Sequence, residues 1–429
     1  MQEIREEEER QERVILVAVN LPEGKNADDG KIRIDVETSL DELEELCQTA
    51  GAETVGRVVQ NLERFQTGTY IGSGKIQEIK ELAAALDADA IVCDDELTPA
   101  QMRNLEDMIG IKICDRTMII LDIFAKHART REGQIQVELA QLRYSLQRLT
   151  GKGIAMSRLG GGIGTRGPGE KKLEQDRRLI RDRISKLKSD LADIVKNREV
   201  LRKQREKNAV PVVAIVGYTN AGKSTLINKL TDSKVFAANM LFATLDSTTR
   251  NAKLPSGQEV LFTDTVGFIN KLPHHLVDAF RSTLEEASYA DIILHVVDSS
   301  DPEINGHMRV VYETLGRLKC EGKPVVTAFN KIDLYNRPIE EGEVREEVIL
   351  KDLKADATLR ISAKHGDGLD EMLEVIEKIL NESKVYIEKT VPYTDGKYLN
   401  NIRKYGQIIE EDYREDGTFI KAYVPRRFL

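Results

Sequence analysis

The nine residues Gly217-Tyr218-Thr219-Asn220-Ala221-Gly222-Lys223-Ser224-Thr225 carry the densest chemistry in the sequence. They fit G-x-x-x-x-G-K-[ST], and the β-branched run Val212–Val216 leads directly into them. In such a turn the glycines let backbone N–H groups curl around phosphate oxygens. Lys223 brings a positive charge to the β- and γ-phosphates, and the Ser224 hydroxyl suits Mg2+. A second element, Asp264-Thr265-Val266-Gly267, closes the apolar run Glu259–Thr263 and lies 40 residues beyond Ser224. A carboxylate there can hold Mg2+ through water, and the glycine N–H can sense the γ-phosphate. DxxG alone is a weak signal; its position at the end of a strand gives it weight.

Two further elements choose the base. After the strand-like VVTAF come Asn330, Lys331, Ile332 and Asp333. A carboxylate at Asp333 can accept two hydrogen bonds from the N1–H and 2-amino group of guanine, a donor pair that adenine lacks. The stem of Lys331 can cover the base plane. Ser362-Ala363-Lys364 then offers backbone N–H groups to the guanine O6. Four elements in this order describe a Mg2+-dependent GTP site at the carboxyl ends of strands. A loop threonine should complete the metal shell, and Thr244, Thr248 and Thr249 are the candidates. The expected strand 250–254 would take up Thr249, so Thr244 is favoured. Lys223, Thr244 and Gly267 are the residues expected to act on the transferred phosphoryl group.

One catalytic part is missing. In Ras-like GTPases a glutamine after DxxG orients the attacking water, whereas here Phe268 has no hydrogen-bonding group. Unassisted hydrolysis should be slow. His274 and His275 follow closely but read as a solvated pair, and Arg250 and Arg281 as surface or structural residues.

The elements that must position these groups alternate strand and helix on both sides of a break. The sequence predicts an α/β protein in four parts: an α/β domain over 1–131, a helical hairpin with a glycine-rich basic loop over 132–209, a P-loop (Ras-like) G domain over 210–383, and a small α+β tail over 384–429. Helices are expected from Ser39 (as the capping residue) to Ala50, from Ile76 to Leu86, from Thr98 to Ile109, from Gln134 to Leu149 and from about Lys171 to Lys207. Six of the 12 tyrosines (Tyr386, Tyr393, Tyr398, Tyr405, Tyr413, Tyr423) fall in the tail, where they are expected to fill its core.

Composition bounds the partners. Of 429 residues, 41% are apolar and 31% charged, and no run of 18 apolar residues exists to cross a membrane. The start, MQEIREEEERQER, does not suit a secretory leader. Cys47, Cys93, Cys114 and Cys320 are scattered without CxxC spacing, which reads as reduced thiols of a cytoplasmic protein. The net charge of −9 averages two opposites: residues 126–207 hold 22 Lys/Arg against 10 Asp/Glu, leaving −21 for the rest. The same segment gathers eight of the 30 glycines between Gly151 and Gly169. Lys152, Arg158, Arg166, Lys171, Lys172, Arg177 and Arg178 run through or beside that loop, and cations on a pliant backbone suit close approach to RNA phosphates. A flexible linker and a second phosphate-binding loop are the competing readings.

At this point a resemblance is plain. FATLDSTTR, DTVGFINKLPHHLVDAFRSTLEEA, GGGIGTRGPGEKKLEQDRR and YIGSGK are similar to signatures of the HflX family of ribosome-associated translational GTPases. The likeness covers nearly the whole chain up to the tail. It implies a GTPase of the hydrophobic-substituted kind that associates with the large ribosomal subunit and its rRNA, splitting or rescuing stalled or idle ribosomes. It also implies that Phe242, Ala243, Thr244, Leu245 and Asp246 form switch I, with Thr244 as the Mg2+ ligand. Ser247 stands where the family usually has proline, and Lys171 follows Glu170 where threonine is usual. A cytoplasmic monomer, at most loosely associated with a membrane, is expected. An ATP- or GTP-driven RNA remodelling enzyme and a nucleotide-sensing, non-enzymatic ribosome-binding module remain the alternatives.

Overall fold

The computed structural model describes residues 10–22, 35–149, 168–208, 210–231, 241–242, 248–273, 276, 286–335, 350–382 and 384–425. They fall into two compact units. One is Met1–Ala192 with Met240–Phe242 and Asn270–Phe280; the other is Asp193–Asn239 with Ala243–Ile269 and Arg281–Leu429.

The first unit alternates β1 (Arg13–Asn20), α1 (Val36–Ala50), β2 (Glu53–Asn61), α2 (Ser73–Ala85), β3 (Ala90–Cys93), α3 (Pro99–Ile109) and β4 (Lys112–Asp115). All strands pair parallel, in the order β2-β1-β3-β4. Every residue from Val14 to Val19 is buried, as a strand covered on both faces requires. The start of α3 follows from local chemistry: Thr98 and Gln101 form a capping box and Pro99 occupies the first turn.

The start of α1 differs from expectation. Asp35, not Ser39, caps it by accepting from the Glu37 N–H. Ser39 lies one turn inside, fully buried, and its hydroxyl donates to Asp94 at 2.7 Å. With the helix end already satisfied, the serine is free to serve a buried carboxylate.

That carboxylate belongs to an ionic cluster at the carboxyl end of the sheet. Helices α4 (Arg116–His127) and α5 (Arg131–Arg148) follow β4 directly. Arg116, with a side chain 1% exposed, pairs with Asp94 at 2.7 Å and with Glu42. Lys271, also within this unit, meets Asp94 and lies 2.9 Å from Asp95. Burial works against ionisation of Asp94, but Arg116 and Lys271 outweigh it and hold its pKa below the ordinary range. The long helix α6 (Pro168–Asn208) meets α5 through Arg183, whose guanidinium forks onto Glu138 at 2.6 and 2.9 Å.

The second unit holds the sheet that matters for nucleotide chemistry. Its elements are β5 (Val212–Gly217), α7 (Lys223–Thr231), β6 (Thr249–Lys253), β7 (Glu259–Asp264), β8 (Ile292–Asp298), α8 (Ile304–Arg317), β9 (Val325–Asn330), β10 (Ala357–Arg360) and α9 (Leu369–Glu382). The order is β10-β9-β8-β5-β7-β6, parallel except for the β6–β7 hairpin. Its core joins Val213, Ile215, Phe262, Leu294, Val326 and Met372, all fully buried.

A three-stranded antiparallel sheet ends this unit, with β11 (Lys384–Val391), α10 (Gly396–Tyr405), β12 (Gln407–Arg414) and β13 (Gly417–Pro425) in the order β11-β13-β12. The expectation that tyrosines fill its core is corrected. The core is Val391, Leu399, Ile402, Ile420, Ala422 and Val424, whereas Tyr386, Tyr393 and Tyr413 are exposed and Tyr398 and Tyr423 only partly buried. Strand parity explains two of them: β13 alternates, so Ile420, Ala422 and Val424 face inward while Tyr423, paired with Tyr386, falls on the opposite face. The side chain of Tyr405 lies outside the described residues.

Removing Arg116 would leave Asp94 and Glu42 without their shared partner in a buried site. Arg116→Ala should therefore cost about 3–5 kcal/mol of stability. Thermal and urea unfolding of the full chain measure it, and an unchanged midpoint would contradict the role given to this cluster.

Candidate functional site

Strand β5 delivers Gly217 to a turn that demands unusual backbone. Asn220 adopts φ 59° and Gly222 φ 93°. A Cβ on Gly222 would come within 2.3 Å of the Asn330 amide nitrogen, so only glycine fits. Asn330 is itself buried. Its amide donates to the Ala221 carbonyl at 2.8 Å, and its side-chain oxygen accepts from the Ala363 N–H at 2.9 Å. The first and last of the four expected motifs are thus joined through the third.

Lys223, at the head of α7, is 7% exposed and donates to the carbonyls of Gly217 at 3.0 Å and Tyr218 at 2.6 Å. Burial pushes its pKa down to about 8, with Asp264 opposing the shift. Ser224 donates to the Asp264 carboxylate at 3.2 Å. Thr265 is tied down by its hydroxyl, which donates to the Ile215 carbonyl at 2.8 Å, and Val266 is buried. A Cβ on Gly267 would meet Thr219 Cγ2 at 2.8 Å and Lys223 Nζ at 3.1 Å, so the end of DxxG lies directly against the loop. Phe268 continues this contact through its backbone: its N–H donates to Gly217 O at 3.1 Å, and its carbonyl accepts from Thr219 N at 2.8 Å. Its ring is buried, 1% exposed.

On the base side, Ser362 donates to Asp333 at 2.7 Å. That hydroxyl, aided by His365 and Lys364, holds the Asp333 pKa below the ordinary carboxylate range. Lys331 takes φ 60° and its ammonium meets Asp298 at 2.7 Å. The Ile332 N–H donates to Ile361 O at 3.2 Å, while Lys364 is exposed. Thr225 lies in the first turn of α7, half-buried.

The threonine candidates separate only in part. Thr249 begins β6, as expected, and its hydroxyl meets Thr263 at 3.1 Å; the Thr248 carbonyl accepts from Asp264 N at 2.9 Å. Phe242 is buried, but Ala243, Thr244, Leu245 and Asp246 lie outside the described residues, as do His274, His275 and Arg281. The same holds for Lys152, Arg158 and Arg166. Lys171 and Lys172 fall on α6, their side chains outside the described residues. Arg177 is half-buried on α6, and Arg178 is exposed 4.0 Å from Asp182.

Two residues near the site were missed from sequence. Asp298, at the end of β8, pairs with Lys331, and Ser299 donates to the Asn330 carbonyl at 2.6 Å. The available signal was the apolar run IILHVV ending in Asp298-Ser299, another strand end at the same sheet edge.

Family comparison agrees with this geometry. Residues 37–125 match the model described as GTP-binding GTPase N-terminal, residues 127–205 the GTP-binding GTPase middle region, and residues 212–331 the 50S ribosome-binding GTPase. GTPase HflX of Lacrimispora saccharolytica is 58% identical over 425 residues, covering 99% of this chain and 96% of the relative. GTPase HflX of Escherichia coli is 37% identical over 407 residues, covering 95% and 92%. The chain belongs to the HflX family of GTPases. A crystal structure of a GTP-binding protein from Sulfolobus solfataricus in complex with GDP is 23% identical, with a TM-score of 0.42 over 87% of this chain and 99% of that one. As a member of the HflX family, the protein binds GTP and GDP and is a GTP-hydrolysing enzyme with a P-loop GTPase domain. No described helix is long and apolar enough to cross a membrane.

The depressed pKa of Lys223 has a measurable consequence. An anionic nucleotide favours the ammonium form, so above pH 8 binding must be coupled to proton uptake. GDP affinity should hold steady from pH 6.5 to 7.5 and then fall by up to about tenfold per pH unit beyond 8. Fluorescent-nucleotide titrations across this range test it; a flat profile to pH 9.5 would show that nucleotide binding is not linked to a depressed Lys223 pKa.

Proposed function

We propose that this GTPase works on the large ribosomal subunit, docking a basic arm on rRNA when GTP is bound and leaving after hydrolysis. The observation that carries the reading is the surplus of 12 positive charges in residues 126–207, inside a protein of net charge −9. Two features support it. The long helix α6 presents exposed Arg178 and Arg181, and the family model matching residues 212–331 is described as a 50S ribosome-binding GTPase. Lys152, Arg158, Arg166, Lys171, Lys172, Arg177 and Arg178 are the proposed RNA contacts. The work done is splitting or rescue of stalled or idle ribosomes.

In the proposed mechanism Lys223 and the backbone of 217–225 hold the β- and γ-phosphates. The Gly267 N–H meets the γ-phosphate, Asp333 accepts the two guanine donors, and Ala363 with its neighbours Ser362 and Lys364 faces the guanine O6. The donor set suits Mg2+: a hydroxyl and a buried carboxylate, both hard oxygens, meet at 3.2 Å beside a lysine. Ser224 and Thr244 would hold the ion directly and Asp264 through water, and the ion when bound neutralises charge between the phosphates. Phe268 offers no group to orient water, so docking on the subunit supplies the missing order in the switches.

Three outcomes are expected. Saturating large subunits should raise the single-turnover rate of GTP hydrolysis, and no change would sink the idea of ribosome activation. Raising salt from 50 to 200 mM should weaken subunit binding by roughly 10³-fold or more if six or more phosphates are neutralised; a nearly flat response would argue against the basic arm. Asp333→Asn should move nucleotide preference from guanine toward xanthine, and equal turnover of ATP and GTP by the wild type would overturn the base assignment.

A further inference from the structure

We infer that His307 is a positioning residue for the phosphate loop, acting through Tyr218. The two side chains come from different elements, Tyr218 from the loop after β5 and His307 from the first turn of α8. Their rings stack with centroids 3.7 Å apart and an interplanar angle of 13°. His307 is fixed from behind. Its Nδ1 lies 2.9 Å from the Asp301 carboxylate, which also accepts from the Glu303 N–H at 2.8 Å and so is locked to the start of α8. His307 is thus held on two sides, by a carboxylate and by the tyrosine ring.

Tyr218 needs such support because of what its backbone does. Its carbonyl is the shorter of the two acceptors that hold the Lys223 ammonium, at 2.6 Å. Its neighbours Gly217 and Thr219 carry both backbone bonds to Phe268, with Tyr218 itself the bridge partner. The Tyr218 ring also borders a cavity between β8 and α8, lined by His295, Val297, Ile304, Met308 and Val311 together with His307. His307 is the flat surface against which the Tyr218 ring rests. A shift of Tyr218 would carry the Lys223 acceptor and the Phe268 bridge with it.

The same segment reaches the base side. Asp298 pairs with Lys331, and the Ser299 N–H and hydroxyl both donate to the Asn330 carbonyl. Residues 298–307 therefore form one strut, with the base-selecting motif at one end and the phosphate loop at the other. The strut fixes the spacing between base and phosphates, and His307 is its contact with the phosphate end.

The test compares His307→Ala, His307→Leu and His307→Phe in the full chain, each first checked by thermal unfolding. Removing the stack should weaken GDP binding about tenfold in the Ala and Leu variants while Phe, which restores an aromatic face, stays within threefold of wild type. GMP, measured by displacement of fluorescent GDP, should bind each variant as it binds wild type, since it lacks the β-phosphate. KM for GTP should rise with kcat within about twofold, the pattern of lost ground-state binding. GDP affinity within twofold of wild type in both Ala and Leu variants would overturn the inference. So would equal loss of GMP and GDP, or failure of Phe to restore affinity. If the Ala variant does not fold, the Leu and Phe pair decides alone.

Discussion

The carboxamide of Asn330 donates to a carbonyl of the phosphate loop and accepts from an N–H of the 362–364 turn. Its backbone carbonyl adds a third tie, accepting from both Ser299 N and Ser299 Oγ. Three strand ends and a loop thus meet on one buried residue. Losing the side chain would strand two buried backbone groups at about 1–3 kcal/mol each, and would also unfasten the site. Gly222 is constrained by the same contact, since any side chain there would strike the amide. The motifs are therefore held together by one hydrogen-bonded hub rather than standing independently.

Charge is arranged around that hub with little slack. An ammonium as buried as Lys223 is costly, and two carbonyls plus the nearby Asp264 only partly offset its lost hydration, as the lowered pKa records. On the proposed reading, the unspent part of this cost makes the loop attractive to a polyanion, whose oxygens complete what the carbonyls begin. In contrast, the first unit satisfies its buried charges internally, with Arg116 and Lys271 on Asp94. The same physics gives a stabilising cluster in one unit and a candidate binding site in the other, according to whether the partners are already present.

Residues that sit in short motifs at strand ends were legible in the sequence. Glycines, the lysine and the short acidic motifs recur at fixed spacing after apolar strands, and the structure brings Gly222, Lys223, Asp264, Asn330 and Ala363 to one sheet edge. The alternation of strands and helices likewise gave the α/β layers. What failed was long-range side-chain chemistry. Ser39 looked like a cap because its carboxylate partner is 55 residues away. The tail tyrosines read as core because a small α+β unit has few other large side chains, whereas the parity of β13 puts Tyr423 and Tyr386 on the outer face. His307 had no signal at all, being a lone histidine in an amphipathic helix until the fold set it against Tyr218.

Phe268 shows how a nucleotide site can lack a side chain to order water. Both of its backbone hydrogen-bonding groups are committed to the loop, and its ring is buried, so it can report on the phosphate loop but has no polar side-chain group to offer water. Gly267, just before it, has no room for a side chain against Thr219 and Lys223. The segment is therefore built for fit to the loop, with water positioning left to another group. On the proposal of ribosome docking, that division makes hydrolysis conditional: the cradle alone holds GTP long enough for a large, charged partner to be met, and the partner completes the chemistry that ends the encounter.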